Sequence, residues 1–173
     1  MSSDLSVKVI HSIPLNSFVS LMHNSLKQLL SIENLPELIF KNDGDELTVA
    51  IEVDTVIGLK GQYILIGIRD MPDAVIMMFY EVEDHPPHVT PEEVGIWGLI
   101  SVGASKSPAE FAIAAAAAVA LSSTQLSVIL DNGCVWSSSF EVNVQDLMEK
   151  LTVKSKGENF YESAKNMFSM MKI

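Results

Sequence analysis

Residues 107–121, SPAEFAIAAAAAVAL, carry the strongest local structural signal in the chain. Ser107 can cap a helix, Pro108 suits the first helical position, and Glu110 completes a capping box. After Glu110 the stretch has no charge, and residues 108–121 include eight alanines. A helix of this composition must be buried on most sides, and its small side chains allow neighbouring elements to approach closely.

Three more helices are predicted. Residues 15–31 carry apolar side chains at three-, four- and seven-residue spacings, which indicates an amphipathic helix. Asn143 is expected to cap a short helix that runs through Leu151, and a last helix is expected after Gly157. The apolar stripe of that last helix is Phe160, Ala164, Met167, Phe168 and Met171.

Extended segments fill most of the remaining chain. Residues 46–54 alternate almost perfectly between apolar and polar side chains, which predicts a half-buried strand with a solvated acidic face. Further strands are expected over residues 6–13, 37–40, 63–68, 74–82, 94–102 and 125–130. The short connections among the three successive strands 46–54, 63–68 and 74–82 favour an antiparallel meander. Asn132-Gly133 indicates a two-residue hairpin that returns residues 134–136 beside the preceding strand.

These elements predict one α+β domain over residues 1–173. A mostly antiparallel sheet is expected to pack against the amphipathic helix 15–31 and the alanine-rich helix 108–121. The C-terminal helical part is expected to cover about residues 143–173.

Composition restricts the classes of function. Of the 173 residues, 48% are apolar, which excludes an intrinsically disordered chain. The formal charge of −11 argues against autonomous nucleic-acid binding and against an anionic membrane surface. Nearly all of this charge lies in residues 43–93, where twelve acidic residues stand against Lys60 and Arg69, a net charge of −10.

The sequence favours a soluble cytoplasmic protein. Residues 1–8 contain neither a cationic start nor an apolar segment, so no secretory signal is expected. The longest uncharged apolar run, residues 111–121, is far shorter than the roughly 20 residues of a membrane-spanning helix. Cys134 is the single cysteine, so no internal disulfide can form.

Candidate chemistry is sparse. His85 and His88 flank two prolines and lie near several acids, but these prolines prevent a helix that would bring the two rings together on a metal ion. Cys134 has no lysine, arginine or histidine close in sequence that would lower its pKa, so a small buried residue is expected. The serine-nucleophile and phosphate-loop motifs do not occur. We therefore predict no catalytic residues, no metal site, no cofactor and no enzymatic activity.

The stretch 107–136 resembles immunity proteins of bacterial contact-dependent growth inhibition and other polymorphic toxin systems. The similarity consists of the alanine-rich helix 108–121, a strand over residues 128–130, Asp131-Asn132-Gly133, and a strand ending at Trp136. The resemblance implies a protein that binds one cognate toxin and blocks it. Many such toxins are nucleases with basic clefts, in which acidic side chains can take the phosphate positions.

The acidic segment is open to two interpretations. It is either a solvated sheet face that keeps the protein soluble or a surface complementary to a cationic partner. Under the second interpretation, the predicted toxin-binding residues are Glu46, Glu52, Asp54, Asp70, Asp73, Glu81, Glu83, Asp84, Glu92 and Glu93, with Trp97 or Tyr80 as an aromatic anchor. The alternative function is a non-enzymatic adaptor or chaperone-like module that uses the methionine-rich C-terminal helix.

Overall fold

A computed structural model of the chain describes residues 3–42, 45–46, 55–71, 74–83, 93–103, 106–137, 139–154 and 157–171. In chain order the elements are β1 (Leu5–Val9), β2 (Ile13–Pro14), α1 (Leu15–Leu30), β3 (Leu38–Asn42), β4 (Asp45–Glu46), β5 (Val56–Ile57), β6 (Tyr63–Ile68), β7 (Ala74–Val82), β8 (Gly95–Val102), α2 (Pro108–Gln125), β9 (Ile129–Asp131), β10 (Glu141–Val142), α3 (Val144–Leu151) and α4 (Phe160–Phe168).

The predicted α+β architecture with a mostly antiparallel sheet is confirmed. Among the described residues, eight strands form one sheet in the order β10-β9-β1-β8-β7-β6-β3-β4, and every neighbouring pair is antiparallel. The strands β6, β7 and β8 form an antiparallel meander. Of the predicted meander 46–54, 63–68 and 74–82, the last two strands are β6 and β7 and pair as expected, while most of the first lies outside the described residues. The strands β2 and β5 make a separate two-stranded pair. Because β1 lies between β8 and β9, the first strand joins the meander to the C-terminal part of the sheet.

The helices cover one side of this sheet. The helices α1 and α2 pack against each other, α2 also contacts β1, β7, β8 and β9, and α4 packs on α1 and α2. Every residue of α2 from Ala109 to Ser122 is buried, as its alanine-rich sequence predicts. Gly98 allows the close approach of β8 to α2, since a Cβ on Gly98 would lie 2.8 Å from Cδ2 of Leu121.

The start of α2 forms as predicted, but its end does not. The Ser107 hydroxyl accepts from the Glu110 amide at 3.2 Å, and the Glu110 carboxylate accepts from the Ser107 amide at 3.0 Å. The prediction of a strand beginning at residue 125 was wrong, because α2 continues to Gln125 and β9 begins only at Ile129. The buried Gln125 side chain accepts from the amides of Ile10 and His11 at 2.7 and 3.0 Å.

The same glutamine explains why the first strand is shorter than the predicted 6–13. Its carbonyl oxygen takes the amide protons that Ile10 and His11 would otherwise offer to a neighbouring strand. The chain therefore leaves the main sheet after Val9 and pairs again only in the short strand β2.

The predicted Asn132-Gly133 hairpin was also wrong. The partner of β9 is β10, with Glu141 opposite Leu130, and not residues 134–136. The buried Asp131 carboxylate folds the intervening chain by accepting from the amides of Val135, Trp136 and Ser137 at 3.1, 2.9 and 2.6 Å. This compact turn buries the Trp136 ring beside Phe111, with 4.9 Å between ring centroids.

The remaining helices agree with the sequence. The helix α1 ends one residue before the predicted boundary, and Asn143 caps α3 by accepting from the Asp146 amide at 2.8 Å. In α4 the side chains of Phe160, Ala164 and Met167 are buried. Of the predicted strand 46–54, only Glu46 lies among the described residues, where it ends β4.

Candidate functional site

The alternation of side chains along β7 and β8 gives the sheet two different sides. On the helix side, Met77, Phe79 and Ile100 are fully buried. On the other side, which we call the open face, Met78 and Tyr80 expose 40% and 38% of their surface. These exposed positions carry large apolar or aromatic side chains, whereas a solvated antiparallel sheet face usually alternates to polar ones.

Two rows of side chains cross the open face, because directly paired residues point to the same side of a sheet. In the first row, Trp97 of β8 pairs with Tyr80 of β7 on one side and with Lys8 of β1 on the other. The second row consists of Met78, Leu99, Ser6 and Leu130. Both rows therefore combine side chains from distant parts of the sequence.

A groove of about 570 Å³ lies on this part of the open face, and we call it the Trp97 groove. Residues from five adjacent strands, β7, β8, β1, β9 and β10, line it together with residues that flank those strands. Its largest apolar and aromatic lining side chains are Tyr80, Trp97, Leu99, Leu130 and Phe140. Its charged lining residues are Lys8, Glu93 and Glu141.

The indole of Trp97 is fixed within the groove. Its Nε1 donates to the carbonyl oxygen of Glu93 at 2.8 Å, and only 9% of the residue is exposed. The more accessible apolar surface comes from Phe140 and Val128, which are 52% and 44% exposed, together with Tyr80. The groove thus has a rigid aromatic centre and wetter apolar sides.

Lys8 of β1 lies directly opposite Trp97 of β8. Gly95 has a φ of +126°, and a Cβ there would lie 3.5 Å from Cε of Lys8. The lysine stem is half-buried and therefore adds apolar surface to the groove as well as a charge.

The side of the groove formed after β9 is held by several hydrogen bonds. The Asn132 side chain donates to the Ser6 hydroxyl at 2.8 Å, and the Asp131 amide donates to the Phe140 carbonyl at 2.7 Å. The Trp136 indole donates to the Ser3 carbonyl at 3.1 Å. Phe140 is consequently carried on an anchored segment.

The structure brings only part of the predicted toxin-binding set together. Glu93, Trp97 and Tyr80 meet in the Trp97 groove. Glu81 follows Tyr80 and faces the other side of the sheet, where it forms an ion pair and hydrogen bond with Lys60. Other members of the set lie outside the described residues, namely Glu52, Asp54, Asp73, Asp84 and Glu92.

The other described acids are dispersed. Glu83 lies 3.7 Å from the Lys60 ammonium, next to Glu81. The hydrogen bond from Lys60 to Glu81, followed by the charge of Glu81, raises the pKa of Lys60. Asp70 lies at the opposite end of β7 from Glu81, in the β6–β7 connection with a φ of +63°. The backbone of Glu46 pairs with that of Lys41 at the edge of the sheet.

The groups considered for catalysis do not form a site in the described part of the chain. Among those residues, no three histidine, cysteine, aspartate or glutamate side chains lie close enough together to hold a metal ion. His85 and His88 lie outside the described residues. Cys134 is exposed, contrary to the sequence expectation of a buried residue, because the Asp131 turn places it at its outer end with a φ of +50°.

The apolar stripe of α4 is used inside the fold. Met167 is buried, and the Phe168 ring contacts Phe111 of α2 edge-on, with 4.9 Å between centroids. An adaptor that uses this stripe as its contact surface would first have to detach α4 from α2.

Sequence reasoning did not select several groove residues. Lys8, Val128, Phe140 and Glu141 become neighbours of Trp97 only through the order of β8, β1, β9 and β10 in the sheet. The alternation Ser6-Val7-Lys8 was the available signal for Lys8, since it places a lysine on the side of β1 opposite the core.

Comparison of the chain with protein-family models, with curated proteins and with solved structures finds no match. A separate property concerns membranes: within the described ranges, no helix combines the length and the hydropathy needed to cross a bilayer.

Proposed function

We propose that this chain is a non-enzymatic bacterial immunity protein that binds one cognate toxin, a basic nuclease domain, and neutralises it by occlusion. The main structural support for this proposal is the Trp97 groove. It exposes Tyr80 and Phe140 around a fixed indole, on a sheet face that none of the described helices covers. Aromatic side chains of this kind dominate the binding energy of protein interfaces.

The charge of the chain supports a basic partner. A net charge of −11 produces a negative field that speeds the encounter with a cationic domain and disfavours acidic ones. A nuclease domain presents such a cationic surface because it binds phosphates. Under this proposal, the protein acts in the cytoplasm, where an incoming nuclease would reach its nucleic-acid substrate.

Occlusion needs only a stable complex. It requires no metal, nucleophile or general base on the inhibitor, and a protein partner can cover the groove. Binding at or beside the nuclease cleft then excludes the nucleic acid. The stoichiometry is therefore one inhibitor for each toxin domain, without turnover.

The decisive experiment pairs this chain with the toxin domain encoded directly upstream of its gene. We expect co-expression to restore growth, and purified chain to abolish nuclease activity at a one-to-one ratio. Association should slow strongly between about 50 mM and about 500 mM salt, because added ions screen the attraction. An upstream gene without a toxin domain, or full nuclease activity at a tenfold excess of the chain, would refute the proposal.

A further inference from the structure

Resting on this proposed function, we propose that the toxin docks through the Trp97 groove, and that the groove receives an apolar side chain flanked by lysine or arginine. This moves the main contact away from residues 46–54, where sequence alternation had suggested an acidic strand face.

The shape and composition of the groove favour an apolar anchor. Tyr80, Phe140 and Val128 present exposed apolar surface around the nearly buried Trp97. The indole is already hydrogen-bonded to Glu93, so it needs no partner from the ligand and can serve as a flat contact surface. A volume of about 570 Å³ falls within the range of sites that enclose small ligands, enough for a large side chain and its neighbours.

The charges around the groove favour cations on both sides of that anchor. Glu93 precedes β8 and Glu141 lies on β10, with β1 and β9 between these strands. The two exposed carboxylates are therefore on opposite sides, and Lys8 between them is the one cation among the described residues of the lining. A basic segment is attracted by both carboxylates and by the net charge of the whole chain, whereas an acidic segment is repelled by both.

A second copy of this chain is a poorer occupant than a basic partner. Two copies would each bring a charge of −11 to the interface. Two concave grooves facing each other would also leave unfilled space, and interfaces of stable dimers are packed as densely as protein interiors. A convex segment of a different, cationic protein avoids both costs.

The test uses two groove variants and one matched control. Tyr80→Ala and Phe140→Ala each remove an exposed aromatic ring from the groove. Tyr161→Ala removes a comparable ring, 41% exposed, from α4, which packs on the helix side of the fold. Circular dichroism and thermal unfolding establish that all three variants are folded.

The first probe is the upstream-encoded toxin domain. We expect each groove variant to weaken its affinity at least about tenfold, while Tyr161→Ala binds as the wild type does. Equal binding by the three variants, combined with loss of binding on Glu52→Lys and Asp54→Lys, would overturn the assignment of the groove as the docking site. The proposed function would then remain intact.

The second probe is a library of random twelve-residue peptides displayed on phage, which tests the groove even if the toxin does not bind and the proposed function fails. We expect selected peptides to combine an aromatic or aliphatic residue with lysine or arginine, and to lose binding on Tyr80→Ala. Peptides without these residues, or with equal binding to Tyr80→Ala, would overturn the inference. A dimer mass in light scattering that Phe140→Ala reduces to a monomer would overturn it as well, since a second copy would then occupy the groove.

Discussion

The buried Asp131 carboxylate offers the sharpest test of how this fold is held together. It is fully inaccessible, and it accepts from three consecutive amides, those of Val135, Trp136 and Ser137, at 3.1, 2.9 and 2.6 Å. The perturbation is Asp131→Ala, which removes both acceptor oxygens and with them all three hydrogen bonds. The turn that these bonds form leads to Phe140 and therefore also supports the Trp97 groove.

The expected loss of stability follows from these three bonds. A buried donor that loses its partner costs about 1–3 kcal/mol, and bonds to charged acceptors lie toward the upper end of that scale. Relaxation of the turn and entry of water recover part of the sum. We therefore expect Asp131→Ala to lower the free energy of unfolding by about 3–5 kcal/mol, a large share of the roughly 5–15 kcal/mol of an ordinary domain.

The measurement is urea unfolding followed by circular dichroism and by tryptophan fluorescence. Trp136 is buried within the affected turn, so its emission reports on the same region. Asp131→Asn should also be destabilised, because the amide replaces one acceptor oxygen by a donor group that faces backbone amides. The matched control is Asp70→Asn, an exposed position at φ +63° where asparagine is well tolerated, with an expected change within about 0.5 kcal/mol.

Two results would refute this reasoning. The first is a change of less than about 1 kcal/mol for Asp131→Ala, which would mean that the turn holds without the carboxylate. The second is equal stability of Asp131→Asn and the wild type, because only a carboxylate offers two acceptor oxygens to these amides.

Three further perturbations test other parts of the fold. Gly98→Ala should lower the free energy of unfolding by about 1–3 kcal/mol in urea, since the new Cβ would lie 2.8 Å from Leu121. The loss should be smaller in a Leu121→Ala background, and an equal loss in both backgrounds would contradict this reason. Ser107→Ala should cost about 0.5–2 kcal/mol through loss of the cap of α2, and an unchanged urea midpoint would argue against that role. Burial, followed by the charge of Lys27, lowers the pKa of His23 below 6.5, so the folded state binds fewer protons there and stability falls as the pH drops from 6.5 toward that lowered pKa. An NMR titration of His23 should give a midpoint below 6.5 that Lys27→Gln moves upward, and a midpoint at or above 6.5 would exclude this effect.

The sequence predicted those elements whose signals are local. The helix α1 follows from its periodicity, and the start of α2 follows from the reciprocal bonds of Ser107 and Glu110. The strands β6 and β7 begin and end at the predicted residues, because turn-forming residues bracket each apolar run. In these cases the residues that decide the structure are neighbours in the chain.

The predictions that were wrong have a common cause. In each case, a polar side chain binds backbone amides that the local sequence pattern would assign to a strand. Gln125 lies more than one hundred residues from Ile10 and His11, and its side-chain oxygen ends β1 by taking their amides. Asn132-Gly133 has the sequence of a hairpin turn, but the Asp131 carboxylate captures the next amides and delays the returning strand to Glu141. The three hydrogen bonds to the buried Asp131 carboxylate stabilise this turn more than the local preference of Asn-Gly stabilises a hairpin.

The sequence predicted aromatic residues in the candidate site, but it did not predict which residues lie next to one another there. Trp97 and Tyr80 were selected as aromatic anchors, but only the register of β7 and β8 places them opposite each other. The strand order then adds Lys8 from β1 and Phe140 from the segment before β10. Strand order is set by the packing of the whole domain, so no single segment of the sequence contains it.

The exposed aromatic residues of the open face need an explanation other than the core. An antiparallel sheet needs one covered side, and α1, α2 and α4 already provide it here. Tyr80 and Phe140 keep a large part of their surface in water, so they contribute less to folding than a buried aromatic residue does. A polar residue at either position would therefore cost the fold less than the same change in the core, and it would improve solubility. The presence of aromatic rings at two exposed positions outside the core therefore supports the proposed binding role.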